Sequence, residues 1–350
     1  MSFNIVISLA GKSQRFFDAG FNQPKYFLPM ADGKTMIEHS IDSLDISGNL
    51  ILIVQKEHCE KYNIDSFLKE KYSYSTIRYL DEYTQGAAES VYLATKDLID
   101  NDNPLIISNC DQTLEWDSSE FVKKSLEEDG CVLTFWADTI KNSYAKVEKH
   151  TTRIIELAEK IVISNDSLVG VHSWKKGSDF CRSAEIMFEN NIRANNEYYI
   201  SISYNPLIKN GKNIHIIRMK ENEKYYSTGT PEQYYYYLQQ KFGYIKQNKL
   251  ENMTRGWLIG DFTPSILKTD AFEIGYLKHP KDQVWPAHVH KEANEYNILI
   301  KGKLIINNET IMQGEIFVIP KNMLTSAKFL EDCEIICIKV PSLPIDKYCY

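Results

Sequence analysis

Two cationic side chains lie close to a small-residue loop near the start of the chain. Residues 9–16 read Leu-Ala-Gly-Lys-Ser-Gln-Arg-Phe, and Lys25 follows soon after. A strand that stops at such a loop exposes successive backbone N–H groups, which can hold phosphate oxygens. Arg15 and Lys25 would neutralise charge at the same point, so that an anionic nucleophile can approach a triphosphate. The pattern predicts a triphosphate site, and a tight turn with solvated cations is the alternative for the loop alone.

A second set of residues suited to chemistry lies near the other end of the sequence. His288 and His290 are separated by one residue, Glu295 follows, and Gly302 comes later, giving H-x-H-x4-E-x6-G. On a strand the two histidines point to the same face. A glutamate from the next strand would complete a two-histidine, one-carboxylate set of the kind that holds iron or manganese. The alternative is a polar lining that binds no metal.

Alternating strands and helices must position the first set. Apolar, β-branched runs predict strands at residues 4–9, 49–55, 76–80 and 104–108, and helical spacing predicts helices at 35–44, 66–71 and 87–99. This alternation indicates an α/β domain with a mainly parallel sheet. Ligands bind such sheets at the carboxyl ends of the strands. The loop after Leu9 and the segment that ends at Asp111 are both predicted to lie there.

The pattern changes after about residue 242. Residues 246–254 are polar, and from residue 256 short strands alternate with turns at Gly302, Asn307-Asn308, Gly314 and Pro320. This spacing is typical of a small all-β barrel. The sequence therefore predicts an α/β domain at 1–243, a linker at 244–255 and a β-barrel domain at 256–350.

From residue 3 to about 240 the sequence resembles the sugar-phosphate nucleotidyltransferase family, whose fold is a GT-A-like, Rossmann-like α/β sandwich. The matching segments occur in the family's order at residues 11–16, 24–27, 84–90, 109–111, 159–160, 196–199 and 226–232. The resemblance implies transfer of a nucleoside monophosphate from an NTP to a phosphorylated small molecule, with a sugar 1-phosphate as the expected acceptor. It also implies Mg²⁺ as cofactor, release of pyrophosphate, and a place in the synthesis of a surface polysaccharide such as a capsule.

The family's site residues carry over position by position. The catalytic set is Arg15, Lys25, Asp111 and Lys160. The nucleotide-binding set is Leu9, Ala10, Gly11, Lys12, Ser13, Gln14, Arg15, Lys25, Gln85, Gly86, Ser90 and Asp111, with Asp111 also the Mg²⁺ ligand. The acceptor-binding set is Lys160, Gly170, Glu197 and Tyr198.

This sequence departs from the family pattern at three positions. Ser13 stands where a second glycine is common, and Tyr26 replaces a proline. Ser227 stands where many relatives have an aspartate that serves as a second metal ligand. Either Asp111 and the phosphates hold the metal together with water, or another carboxylate takes the place of this aspartate.

The C-terminal motif resembles the first signature motif of the cupin family, which is a small β-barrel. The second motif matches only at Gly314 and Pro320, because its usual histidine falls near Thr325. The resemblance implies a transition metal on His288, His290 and Glu295. Without a metal, the barrel could bind a sugar or nucleotide or form a homodimer, and the sequence leaves these alternatives open.

Composition and charge argue against several classes of protein. The 350 residues carry a formal net charge of −7 and no basic stripe, which argues against a nucleic-acid partner. The seven cysteines are scattered, and no segment has the length or polarity pattern of a signal peptide or membrane span, so we expect a cytoplasmic protein.

Three other functions remain as alternatives. A GT-A glycosyltransferase would share the fold, but Asp111-Gln112-Thr113 lacks the usual Asp-x-Asp motif. A bifunctional enzyme would modify the sugar in its barrel, and a non-catalytic binding protein would hold the nucleotide without turning it over. The sequence does not name the base or the acceptor.

Overall fold

The first strand is buried on both faces because apolar clusters pack on each side of its sheet. The computed structural model describes residues 2–245, 247–343 and 345–349, and the chain divides into two compact units, Met1–Ile245 and Lys246–Tyr350. In the first unit, β1 (Phe3–Leu9) pairs in parallel with strands on both sides. Such a strand needs apolar residues on both faces, which is why Ile5, Val6 and Ile7 follow one another without alternation.

A nine-stranded sheet forms the centre of the first unit. Its path of seven strands runs in the order β10-β6-β9-β4-β1-β2-β3, with β7 and β8 off the path. Only β9 on this path runs antiparallel to its neighbours, β4 and β6. The other strands are β2 (Gly48–Gln55), β3 (Thr76–Leu80), β4 (Leu105–Asn109), β6 (Gly130–Trp136), β7 (Ser143–Val147), β8 (Ile154–Glu159), β9 (Asp166–Trp174) and β10 (Ile214–Arg218). A separate antiparallel pair joins β5 (Gln112–Glu115) to β11 (Lys224–Ser227).

Apolar clusters pack against the two faces of this sheet, and helices supply much of each cluster. Helix α2 begins with a capping box, in which Thr35 and Glu38 satisfy each other's backbone N–H groups. The helices are α1 (Gln14–Asp18), α2 (Met36–Leu44), α3 (Lys56–Tyr62), α4 (Ile64–Lys71), α5 (Ala87–Ile99), α6 (Ser119–Glu127), α7 (Gly177–Glu189), α8 (Tyr204–Lys209) and α9 (Pro231–Phe242).

The second unit consists of two five-stranded antiparallel sheets. One has the order β12-β13-β20-β15-β18 and the other β17-β16-β19-β14-β21. The strands are β12 (Trp257–Ile259), β13 (Glu273–His279), β14 (Val284–Val289), β15 (Asn294–Lys301), β16 (Lys303–Ile306), β17 (Glu309–Met312), β18 (Ile316–Ile319), β19 (Thr325–Phe329), β20 (Cys333–Val340) and β21 (Tyr348–Cys349). Leu277, Leu299, Phe329 and Ile335 belong to its apolar core.

The predicted fold class, a mixed α/β domain with a mainly parallel sheet followed by antiparallel β structure, is confirmed. Residues 250–252 and 254–256, which begin within the predicted linker, form short 3-10 helices. Met1, Lys246, Pro344 and Tyr350 fall inside the predicted domains and linker but lie outside the described residues. Across the described ranges, no helix is both long and apolar enough to cross a bilayer.

Candidate functional site

The loop after β1 contains a serine in the left-handed region, at the position where a second glycine is common in the resembling family. Ser13 adopts φ 56° and ψ 20°, a left-handed conformation that glycine enters most easily. Its hydroxyl oxygen accepts a hydrogen bond of 3.1 Å from the backbone N–H of Lys25. Serine therefore keeps the loop's conformation and ties it to the segment that bears the second cation.

Lys25 and Asp111 meet at the carboxyl ends of the central strands. The Lys25 Nζ and Asp111 Oδ2 atoms lie 2.5 Å apart, and each side chain is 20% exposed. Burial lowers the pKa of Lys25, but Asp111 more than offsets this, so that the pKa lies above its usual value. Arg15 is close enough to act on Lys25 in the opposite direction. Two cations and one carboxylate are thus gathered beside the loop after β1, which is predicted to bind phosphate.

Residues 227–229 also lie against Asp111, and in this segment Ser227 replaces the aspartate of many relatives. The backbone N–H of Thr228 donates to the Asp111 carbonyl at 2.8 Å, and a Cβ atom on Gly229 would stand 2.7 Å from Asp111 Oδ2. Ser227 itself donates to Gln233 at 3.1 Å. Mg²⁺ is commonly held by one or two carboxylates with substrate phosphates and water. A single partly exposed carboxylate at Asp111 fits that requirement.

The segment predicted to read the base is fastened to the segment predicted to hold the acceptor. The Tyr198 N–H donates to the Gln85 carbonyl at 2.8 Å, and the Ala88 N–H donates to the Tyr198 carbonyl at 2.9 Å. Gly86 allows this approach, because it has φ 139° and a Cβ atom there would lie 2.5 Å from Tyr198 backbone atoms. Arg193 donates to the Gln85 side chain at 2.6 Å. Arg193 belongs to no motif, so nothing in the sequence alone indicates its contact with Gln85.

Lys160 lies beside a small group of polar residues in the region predicted to contact the acceptor. Its ammonium lies 3.1 Å from Glu159, a buried carboxylate that also accepts hydrogen bonds from Ser143 and, at 2.8 Å, from Ser201. Burial raises the pKa of Tyr199 to about 12, and the charges of Glu197 and Glu159 add to the effect. Glu197, Glu159 and Tyr199 are therefore neighbours. Tyr199 belongs to the matching segment 196–199, but no role was predicted for it, because nothing in the sequence separates it from Tyr198.

Three further predicted residues, Gly170, Ser90 and Gln14, lie in different parts of the first unit. Gly170, at φ +90°, brings β9 against the Asn109 side chain next to Asp111. Ser90 bonds to Thr84 at 2.5 Å and supports the base-reading segment, and Gln14 donates to Asp18 at 2.7 Å on the exposed surface. The Tyr198 ring is buried against Phe188 and Arg193, whereas its backbone N–H and carbonyl bind the segment predicted to read the base.

In the second unit the structure does not form the predicted three-ligand set. Glu295 lies 3.0 Å from His290 and 3.4 Å from Lys339, its direct partner across the β15–β20 pair. Burial raises the pKa of Glu295, but these partners lower it to about 2. His288 bonds to the Pro286 carbonyl at 2.9 Å. Within the described part of the chain, no three His, Cys, Asp or Glu side chains are placed to hold a metal ion. Lys339 is thus a partner of Glu295 that the sequence pattern did not indicate, because the register of the β15–β20 pair decides it.

Residues 5–178 match the family model described as nucleotidyl transferase. The solved nucleoside-diphosphate-sugar pyrophosphorylase from Vibrio cholerae RC9 is 29% identical to this chain, with a TM-score of 0.59, over 67% of this chain and 100% of its own. No protein of curated function matches the sequence significantly.

Two further solved structures share the fold at lower identity. A UDP-glucose pyrophosphorylase complexed with UDP-glucose is 17% identical, with a TM-score of 0.57, over 69% of this chain and 99% of its own. The inositol-1-phosphate CTP transferase from T. maritima is 14% identical, with a TM-score of 0.52, over 68% of this chain and 95% of its own.

Proposed function

We propose that the chain, which carries a nucleotidyl transferase-family domain at residues 5–178, transfers a nucleoside monophosphate from an NTP to a phosphorylated small molecule. The observation that carries the proposal is the Lys25–Asp111 pair, 2.5 Å apart beside the loop after β1. A triphosphate needs backbone donors, cations and a metal-binding carboxylate together, and this corner of the sheet offers all three.

The reaction is a displacement at phosphorus. An oxygen of the acceptor phosphate attacks the α-phosphorus in line, one P–O bond forms, and the bond to the leaving pyrophosphate breaks. No covalent enzyme intermediate is needed, so catalysis rests on positioning and charge neutralisation. Lys25 and Arg15 would hold the triphosphate, Asp111 would hold Mg²⁺, and Lys160 would orient the acceptor phosphate. Bound Mg²⁺ would supply further neutralisation of phosphate charge.

The finer assignments are also proposals. A sugar 1-phosphate acceptor is supported by likeness to the 29%-identical pyrophosphorylase, and precursor supply for a surface polysaccharide would follow from it. A cytoplasmic location agrees with the free thiols of all seven cysteines. A homodimer through the second unit stays a prediction.

Pyrophosphate release tests the proposed reaction directly. The purified chain would be assayed with Mg²⁺ and CTP, UTP, GTP, ATP or dTTP against a panel of sugar 1-phosphates and other small phosphates. We expect release with one NTP and its acceptor. Silence across the panel, together with no NTP binding in calorimetry, would refute the proposal, whereas binding without release would favour a non-catalytic nucleotide-binding protein.

Replacing Lys160 with alanine should weaken the acceptor step selectively. Removing this cation is expected to raise the acceptor KM about tenfold or more, because a charge-assisted contact to phosphate is lost. The Kd for NTP should stay unchanged. Lys149→Ala, in the exposed turn between β7 and β8, is the control. An equal loss in NTP affinity would contradict the assignment.

We also propose that the second unit is a cupin-type barrel with a polar interior that does not hold a resident transition metal. The support is the ammonium group of Lys339, which lies 3.4 Å from Glu295 and whose positive charge would oppose a metal ion there. Elemental analysis of the purified chain should find well under one equivalent of iron, manganese, nickel or zinc. Lys339→Met should then bind Mn²⁺ more tightly than wild type, since it frees Glu295. Stoichiometric metal in the wild type that is lost in His288→Ala would contradict this.

A further inference from the structure

A chain of hydrogen bonds lies near the loop after β1, and its residues have no role in the proposed mechanism. The Tyr26 hydroxyl lies 2.8 Å from His58 Nδ1, and the Tyr83 hydroxyl lies 3.2 Å from His58 Nε2. Tyr83 also donates to Glu57 at 3.1 Å. Tyr26 is fully buried and His58 nearly so. We call Tyr26, His58, Tyr83 and Glu57 the tyrosine–histidine relay.

The protonation states of these groups determine which atom donates and which accepts in each hydrogen bond of the relay. Burial lowers the pKa of His58, with Glu57 and Lys61 acting in opposite directions, so the ring is neutral. Burial, together with the bond to Glu57, raises the pKa of Tyr83 to about 12, so its hydroxyl is protonated and donates to the carboxylate. Tyr83 must then accept from His58 Nε2–H. His58 Nδ1 is left as an acceptor, and the protonated Tyr26 hydroxyl donates to it.

Each tyrosine in the relay lies next to one of the predicted phosphate-binding lysines. Lys12 lies over the Tyr83 ring, 5.2 Å from its centroid. Tyr26 follows Lys25 in the short 3-10 turn Lys25–Phe27, whose first N–H is bound by Ser13. His58, on α3, therefore stands between the two groups that support these cations.

We propose that the relay is a positioning device for the nucleotide, in which His58 fixes the spacing between Lys12 and Lys25 so that both cations meet one triphosphate. This inference rests on the proposed function. Tyr26 replaces the proline usual at its position in the resembling family, and proline could not make this bond. The bond to His58 therefore gives a physical reason for tyrosine at position 26.

The test measures NTP binding by calorimetry with Mg²⁺ and each of the five nucleotides, on the full chain. Tyr26→Phe removes one hydroxyl and should weaken binding of the preferred NTP about tenfold, while the acceptor KM is unchanged. His58→Leu should give a similar loss, and the double variant should lose little more, because both changes break the same bond. His58→Asn keeps an acceptor near the Nδ1 position and should restore part of the affinity.

A matched control exists elsewhere in the same unit. The Tyr237 hydroxyl makes a comparable bond of 3.1 Å to His39 Nδ1, and Tyr237 is also buried. Tyr237→Phe should cost similar thermal stability and leave NTP affinity unchanged. If wild type binds an NTP and Tyr26→Phe binds it equally well, the inference fails alone. If wild type binds none, the proposed function fails and this inference with it.

Discussion

Asp111→Asn is expected to lower the rate of pyrophosphate release about a thousandfold. The change keeps the side chain's size but removes the charge that would hold Mg²⁺. It also leaves Lys25, now 2.5 Å from the carboxylate, without its counter-charge. The measurement is the initial rate at saturating substrates over a range of Mg²⁺ concentrations. We expect the loss in kcat, with the apparent Mg²⁺ requirement shifted upward.

The control for this variant is an ion pair at the opposite end of the same strand. Asp102 precedes β4 and pairs with Lys176 at 2.9 Å, so Asp102→Asn removes a similar charge far from the loop after β1. It should leave the rate of pyrophosphate release within about twofold of wild type, as exposed pairs contribute little. A rate for Asp111→Asn close to that of Asp102→Asn would remove Asp111 from the metal site.

Gly86→Ala should be the most destabilising of the single substitutions considered. The glycine has φ +139°, which L-residues rarely adopt, and a new methyl group would press on the Tyr198 backbone at 2.5 Å. The two backbone hydrogen bonds that fasten Tyr198 to residues 85 and 88 would be displaced. We expect the free energy of unfolding to fall by about 3 kcal/mol or more. Urea unfolding monitored by circular dichroism measures the change.

Gly20→Ala separates the close contact from backbone strain. Gly20 also has a positive φ, +87°, but a Cβ atom there would meet nothing within 4 Å. Its replacement should cost about 1 kcal/mol. Gly86→Ala should in addition weaken NTP binding in whatever fraction remains folded, because residues 84–90 carry the predicted base contacts. Equal costs for the two variants would mean that the Tyr198 segment moves aside without loss.

Local pattern was enough to predict the elements that frame the site. The apolar run at 4–9 became β1, residues 76–80 became β3, and the helical spacing at 87–99 became α5. These segments are predictable because burial on one stripe or on both faces of a sheet leaves a periodic signature in the chain. The parallel sheet then placed the loop after Leu9 and Asp111 at one edge, as the alternation of strands and helices implied.

Contacts between distant residues were decided only by the tertiary structure. Lys25 and Asp111 are 86 positions apart, and no spacing rule pairs them. The left-handed Ser13, the relay through His58 and the burial of the Tyr198 ring depend on which segments pack together. In the second unit, His288 lies on β14 and Glu295 on β15, whereas His290 follows the end of β14 and the two strands belong to different sheets. Strand register, however, set Glu295 opposite Lys339. A one-dimensional pattern fixes which face a side chain occupies, whereas the partner it meets there depends on pairing between segments far apart in the chain.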